Sequence, residues 1–105
     1  MYLYIAESLK TRNYGNTTLY YYGKVQGVGY RFYVQEIARS LQVRGWVRNQ
    51  FDGTVECVAA GESSDMDNFE KKIRKGPPLS RIVNMEREIK QEGDFDIPED
   101  FIILQ

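Results

Sequence analysis

Residues 26–31, which read QGVGYR, combine backbone and side-chain groups suited to binding an anion. Their two glycines permit positive φ angles and close backbone approach, so successive N–H groups can turn into one concavity. A predicted helix follows, and its N-terminus adds positive partial charge. Arg31 lies in the first turn and offers a planar pair of donors that matches two phosphate oxygens. The segment predicts a site for a tetrahedral oxyanion, although a glycine turn beside an ordinary surface arginine has the same residue types.

Asn49 is the second candidate, because it ends a predicted strand. A side-chain amide both donates and accepts hydrogen bonds, so it can hold one water molecule in a fixed orientation. The simpler alternative is that Asn49 only begins the turn completed by Asp52 and Gly53. From the residues alone, both interpretations stay open.

The composition excludes several kinds of active site. The chain has 105 residues, enough for one domain, with no histidine and a single cysteine. Without histidine there is no Ser-His-Asp or Cys-His nucleophile activation and no histidine zinc site. One cysteine forms neither an internal disulfide nor a cysteine-rich metal cluster. The composition therefore excludes nucleophile activation by histidine and the metal sites that are built on histidine or on several cysteines.

The charge and the hydropathy of the chain limit which partners and which cellular location are expected. The formal net charge is -1, which disfavours a bulk electrostatic grip on nucleic acid. No apolar run approaches the roughly 20 residues that span a bilayer, and no basic segment precedes the apolar N-terminus as in a signal peptide. We expect a cytoplasmic monomer with no membrane or nucleic-acid partner.

Hydrophobic periodicity predicts two helices and five strands. The strands are expected over residues 17–25, 43–49, 54–60, 81–89 and 101–104, and the helices over residues 30–41 and from Ser63 or Ser64, as N-terminal cap, to residue 75. The order β-α-β-β-α-β, followed by a short final strand, is the split βαβ arrangement of an α+β, ferredoxin-like sandwich. We expect an antiparallel sheet with both helices on one face. Residues 1–16 are interpreted as a flexible N-terminal extension of a domain formed by residues 17–105.

Two segments resemble the signature sequences of the acylphosphatase family. Residues 23–31, GKVQGVGYR, are similar to G-x-V-Q-G-V-x-F-R, with Tyr30 in place of the usual phenylalanine. Residues 45–61, GWVRNQFDGTVECVAAG, resemble the second signature without a departure. The tripeptide GPP at 76–78 is a further common feature of the family. The resemblance covers roughly Leu19 to Phe101.

The resemblance implies a hydrolase that cleaves the carboxyl–phosphate anhydride of small acyl phosphates to a carboxylate and inorganic phosphate, without a metal or another cofactor. Carried over by position, Arg31 binds the phosphoryl group and Asn49 positions the attacking water. The implied phosphate-binding residues are Gln26, Gly27, Val28, Gly29, Tyr30 and Arg31. The family fold is the same split βαβ sandwich that periodicity predicts.

Three features depart from the family pattern. Gln42 stands where the family commonly has glycine after the first helix; in a left-handed conformation it would cost about 1 kcal/mol relative to glycine. Gln50 stands where threonine often follows the asparagine, so a supporting hydroxyl is lacking. Residues 1–16 have no counterpart in the compact family members.

Proteins with two other functions have this same fold. One is a domain similar to the carbamoyl-handling domain of hydrogenase maturation proteins, which acts on carbamoyl phosphate inside a larger chain. The other is a non-catalytic ferredoxin-like module that binds RNA or another ligand. Residues 44–47, RGWV, resemble its aromatic RNP stretch, but the full pattern fails.

Overall fold

Two helices and five strands make up the part of the chain that a computed structural model describes, residues 16–91, 93 and 95–104. In chain order they are β1 (Asn16–Gly27), α1 (Tyr30–Ser40), β2 (Arg44–Asn49), β3 (Thr54–Glu62), α2 (Ser63–Lys75), β4 (Ser80–Lys90) and β5 (Phe101–Ile103). The predicted order is confirmed. The predicted extension, residues 1–16, lies outside the described residues except for Asn16, with which β1 begins.

The strands form one sheet in the order β4-β1-β3-β2-β5. The four longer strands pair antiparallel with one another, as predicted. The short strand β5 runs parallel to its neighbour β2. The sheet is therefore mixed, because the segment after β4 crosses to the opposite edge. Phe95 of that segment stacks on Tyr20 and meets Trp46 edge to face, with ring centroids 5.8 and 6.2 Å apart. The ferredoxin-like α+β class is confirmed.

The core lies between the sheet and the two helices. Helix α1 buries Tyr30, Val34 and Ala38 at helical spacing, and α2 buries Met66, Phe69 and Ile73. These side chains pack on the inward residues of the strands, which include Tyr21, Val47 and Phe101. Both described helices are too short and too polar to pass through a bilayer.

The predicted serine cap of α2 is wrong. The helix already begins at Ser63, and Glu62 occupies the cap position without a side-chain hydrogen bond to the helix. The Ser63 hydroxyl lies instead 3.0 Å from the Thr17 hydroxyl of β1. Because β3 runs directly into α2 without a loop, the cap position falls on the last strand residue.

Gln42 adopts the left-handed conformation expected from its place after α1. Its φ of 59° makes it the one non-glycine residue with positive φ in the described part of the chain. The Val43 N–H behind it donates to the Ala38 carbonyl at 2.8 Å and ends the helix. The Gln42 side chain is exposed, so it gains no burial energy that would offset the backbone strain.

Replacing Gln42 with glycine is expected to raise the free energy of unfolding by about 1 kcal/mol, because glycine adopts positive φ without a Cβ clash. Urea denaturation at constant m-value measures the change. The matched control is Glu36→Gly at an exposed position of α1, which should lower the free energy of unfolding by about 1 kcal/mol. A Gln42→Gly protein no more stable than the original chain would contradict the strain at this residue.

Candidate active site

A cleft of about 430 Å³ opens where β1 leads into α1. Residues 27–32 form one wall, and Asn49, Gln50 and Gly53 of the β2–β3 hairpin form another. The structure thus brings Arg31 and Asn49, which the sequence analysis selected separately, to a single cleft.

Gln26 differs from the other predicted phosphate-binding residues. It lies within β1, paired with Arg81 of β4, and does not line the cleft. Gly27, Val28, Gly29, Tyr30 and Arg31 all line it. The assignment of Gln26 to phosphate binding therefore stays a prediction without a contact to support it.

The two glycines of the loop are required for different reasons. A Cβ on Gly27 would lie 2.1 Å from the Leu79 carbonyl oxygen, so the close approach of the chain before β4 excludes any side chain there. Gly29 has open space around it but a φ of 82°, which side chains rarely allow. The G-x-G spacing thus lets the backbone pass β4 and then turn into the helix.

The N-terminus of α1 is open to an anion. Gly29 occupies the cap position without a side-chain hydrogen bond, and the first turn contains no acidic residue. The first helical hydrogen bond runs from the Tyr33 N–H to the Gly29 carbonyl at 3.0 Å. The N–H groups of Tyr30, Arg31 and Phe32 precede it and have no acceptor within the helix. Together with the helix dipole, they make this end of the cleft positive.

Arg31 adds a full positive charge at this already positive end. Helix dipoles disfavour cations there by about 0.3–1 kcal/mol, and the half-buried Arg31 has no ion pair with any described residue to offset that. By contrast, ion pairs within the described part of the chain engage Arg39, Arg48, Arg74 and Arg87. The position of Arg31 is favourable when an anion occupies the cleft.

The hairpin presents one free amide to the cleft. The Asn49 side chain is exposed and has no hydrogen-bond partner within residues 16–91, 93 and 95–104. The Gln50 amide instead donates to the Thr54 hydroxyl at 3.1 Å, and the Gln50 N–H donates to the Thr54 carbonyl at 2.8 Å. Gln50 therefore closes the hairpin, and Asn49 remains available to bind water.

Titratable side chains near the cleft are engaged elsewhere. Asp52 of the hairpin accepts hydrogen bonds from the Thr54 hydroxyl at 2.6 Å and the Thr54 N–H at 3.0 Å, and these bonds hold the pKa of its carboxyl below the usual range. Burial raises the pKa of the Tyr30 phenol, whose hydroxyl donates to the Ile73 carbonyl at 2.7 Å. Tyr30 therefore anchors α1 to α2 as a neutral side chain.

Sequence reasoning missed Ser80, the first residue of β4. Its hydroxyl donates to the Val28 carbonyl of the glycine loop at 3.0 Å, across a separation of 52 positions in the chain. A serine that bonds to a distant backbone oxygen carries no motif, so no pattern within the sequence would have singled it out.

Comparison with known proteins identifies the family of the chain. The family model described as Acylphosphatase matches residues 17–103. An acylphosphatase from Bacillus licheniformis is 44% identical over 72 residues, which cover 69% of this chain and 80% of that protein.

Solved structures show the same likeness. An acylphosphatase from Coxiella burnetii superposes with a TM-score of 0.77 at 32% identity, over 91% of this chain and all of that one. The HypF protein of T. kodakarensis superposes with a TM-score of 0.68 at 30% identity, over 86% of this chain but only 12% of its own. The extent of the family match and the identity to named relatives show that this chain belongs to the acylphosphatase family.

Proposed function

We propose that the cleft between the glycine loop and the β2–β3 hairpin hydrolyses small acyl phosphates to a carboxylate and inorganic phosphate. Acylphosphatase activity is the activity of the family to which the chain belongs. The observation that carries the assignment to this cleft is Arg31, a cation without an ion-pair partner among the described residues, beside the uncapped N-terminus of α1. In this proposal Arg31 and the loop N–H groups bind the phosphoryl oxygens.

The bond that breaks makes few demands on the protein. The leaving group is a carboxylate whose conjugate acid has a pKa of about 4, so it departs without a general acid. Phosphoryl transfer has a loose transition state, and its catalysis consists mainly of positioning and charge stabilisation. Backbone N–H donors and one arginine can position the equatorial oxygens of the phosphoryl group and stabilise their charge.

Asn49 completes the proposed reaction by holding water in line with the bond that breaks. The water oxygen bonds to phosphorus, the bridging P–O bond breaks, and its electron pair leaves on the carboxylate. The proton of the water passes to a phosphoryl oxygen in this proposal. Its support is that no carboxylate lines the cleft among the described residues, while Asp52 and Tyr30 are held in other hydrogen bonds.

The proposed substrate is a free small acyl phosphate, and the proposed state is a cytoplasmic monomer without a nucleic-acid partner. The near-neutral net charge of -1 supports the absence of a nucleic-acid partner. Attraction for a small anion needs only the local charge at Arg31. The likeness to a segment of HypF favours one second candidate, a domain that handles carbamoyl phosphate. Carbamoyl phosphate therefore belongs in the substrate set of any assay.

A chelator is expected to leave hydrolysis unchanged. The described lining of the cleft contains no carboxylate, thiol or imidazole, the side chains that most often hold metals in proteins. The measurement is the initial rate with benzoyl phosphate, acetyl phosphate and carbamoyl phosphate, each with and without EDTA. Inorganic phosphate should inhibit competitively because it occupies the same loop.

The three substrates separate the two candidates. Faster turnover of benzoyl phosphate and acetyl phosphate than of carbamoyl phosphate supports the acylphosphatase proposal. Turnover of carbamoyl phosphate alone supports the second candidate. Loss of activity in EDTA that zinc or magnesium restores would contradict the metal-free mechanism. No turnover of any of the three would contradict both functions.

A further inference from the structure

A hydrogen bond from β4 restrains the peptide between Val28 and Gly29 in the glycine loop. The Ser80 hydroxyl donates to the Val28 carbonyl at 3.0 Å. Ser80 begins β4 and lies opposite Gly27 in the strand register, and it does not line the cleft. It therefore contacts the binding loop from behind, without reaching the space that a phosphate would occupy.

The loop needs this restraint because Gly29 supplies none. No heavy atom lies within 4 Å of the place where a Gly29 Cβ would stand, and glycine tolerates both signs of φ. The peptide between Val28 and Gly29 can therefore rotate about the Gly29 φ angle without the Cβ strain that any other residue would meet there. The following peptide is fixed separately, since the Gly29 carbonyl accepts the Tyr33 N–H at 3.0 Å.

The side to which the Val28 carbonyl points determines the direction of the next N–H. A trans peptide directs its carbonyl and its N–H to opposite sides, and the described chain contains no cis peptide. In the sheet, β4 lies on one side of β1, while β3 and β2 lie on the other. With the Val28 oxygen held by Ser80 of β4, trans geometry directs the Gly29 N–H away from that hydroxyl. The strand β2, which ends at Asn49, lies on the side of β1 opposite β4.

We propose that Ser80 is a positioning residue of the phosphate site, which keeps the Val28 carbonyl turned outward so that the Gly29 N–H faces the phosphoryl group. Rotation of this peptide would direct a carbonyl oxygen, with its negative partial charge, toward the anion. The inference rests on the proposed function only in taking the cleft as a phosphate site. Hydrolysis itself is not needed for its test.

The test compares the affinity of Ser80→Ala and of the original chain for inorganic phosphate, measured by calorimetric titration. Losing one oriented hydrogen-bond donor is expected to raise the dissociation constant about fivefold. The Gly29 amide signal in NMR should shift on phosphate addition in the original chain and shift less in the variant. Ser80→Thr keeps the hydroxyl and should restore most of the affinity.

The matched control is Ser40→Ala. The Ser40 hydroxyl also donates to a backbone carbonyl, that of Ile37 at 2.8 Å, but it stands at the other end of α1. It should leave the phosphate affinity unchanged, although it removes a bond of the same kind. Circular dichroism and thermal melts confirm that each variant is folded at the titration temperature.

The outcomes separate this inference from the proposed function. Unchanged phosphate affinity in Ser80→Ala overturns the inference, and so does a loss that threonine does not restore or that Ser40→Ala shares. Phosphate binding without acyl phosphate hydrolysis in the original chain overturns the proposed function, while the Ser80 comparison still decides the inference. No phosphate binding in the original chain overturns both.

Discussion

Replacing Arg31 with alanine is expected to abolish measurable phosphate affinity and acyl phosphate turnover together. Arg31 is the one side-chain cation that lines the cleft, so its guanidinium is the charge available to the phosphoryl group in the described residues. Removing one donor of this kind typically lowers the rate by about 100-fold to 1,000-fold. The measurements are kcat/KM for benzoyl phosphate and the dissociation constant of inorganic phosphate from calorimetric titration, which needs no residual activity.

Two further variants control for charge and for geometry. Arg39→Ala removes the same charge from the same helix, together with the exposed ion pair to Asp100, and should keep nearly full activity. Arg31→Lys retains a charge but loses the planar pair of donors, so it should recover only part of the activity. An Arg31→Ala protein that binds phosphate normally would refute the assigned role.

Replacing Asn49 with alanine should separate binding from chemistry. The proposed contact of Asn49 is with the attacking water and not with phosphate, so the inhibition constant of phosphate should change less than about twofold while kcat falls about 100-fold or more. A drop in kcat at unchanged phosphate affinity indicates a contact made for the reaction itself.

The matched control for Asn49 is Asn68→Ala on the exposed face of α2. Both changes remove an exposed amide, but only the first should affect catalysis. If Asn49→Ala unfolds and binds no phosphate, Asn49 has a structural role in the hairpin instead.

The fold could be predicted from the sequence because most elements carry a strong local signal. Helix α1 repeats buried side chains at helical spacing, and Gly76 with two prolines ends α2. The direction of β5 had no such signal. Its three residues do not indicate a pairing partner, and its place depends on the path of the preceding segment, where Phe95 packs on Tyr20 and Trp46.

Site residues that are close together in the sequence could be predicted, whereas those brought together only by the fold could not. Residues 27–31 are contiguous, so the conformational needs of two glycines and the position of Arg31 could be read together. The amide of Asn49 was ambiguous by itself, and the resemblance to a family signature selected its interpretation. Ser80 could not be found, because its role depends on the register that places β4 against Gly27. Gln26 shows the opposite case, since its place in the motif does not bring it to the cleft.

Hydrolysis of benzoyl phosphate in water enriched in oxygen-18 tests the central claim most directly. If the loop holds the phosphoryl group and Asn49 directs water to phosphorus, the label appears in inorganic phosphate and the benzoate stays unlabelled. Mass spectrometry of both products, corrected for the uncatalysed reaction, gives the answer. Label in benzoate would show attack at the acyl carbon and would contradict phosphoryl transfer in this cleft.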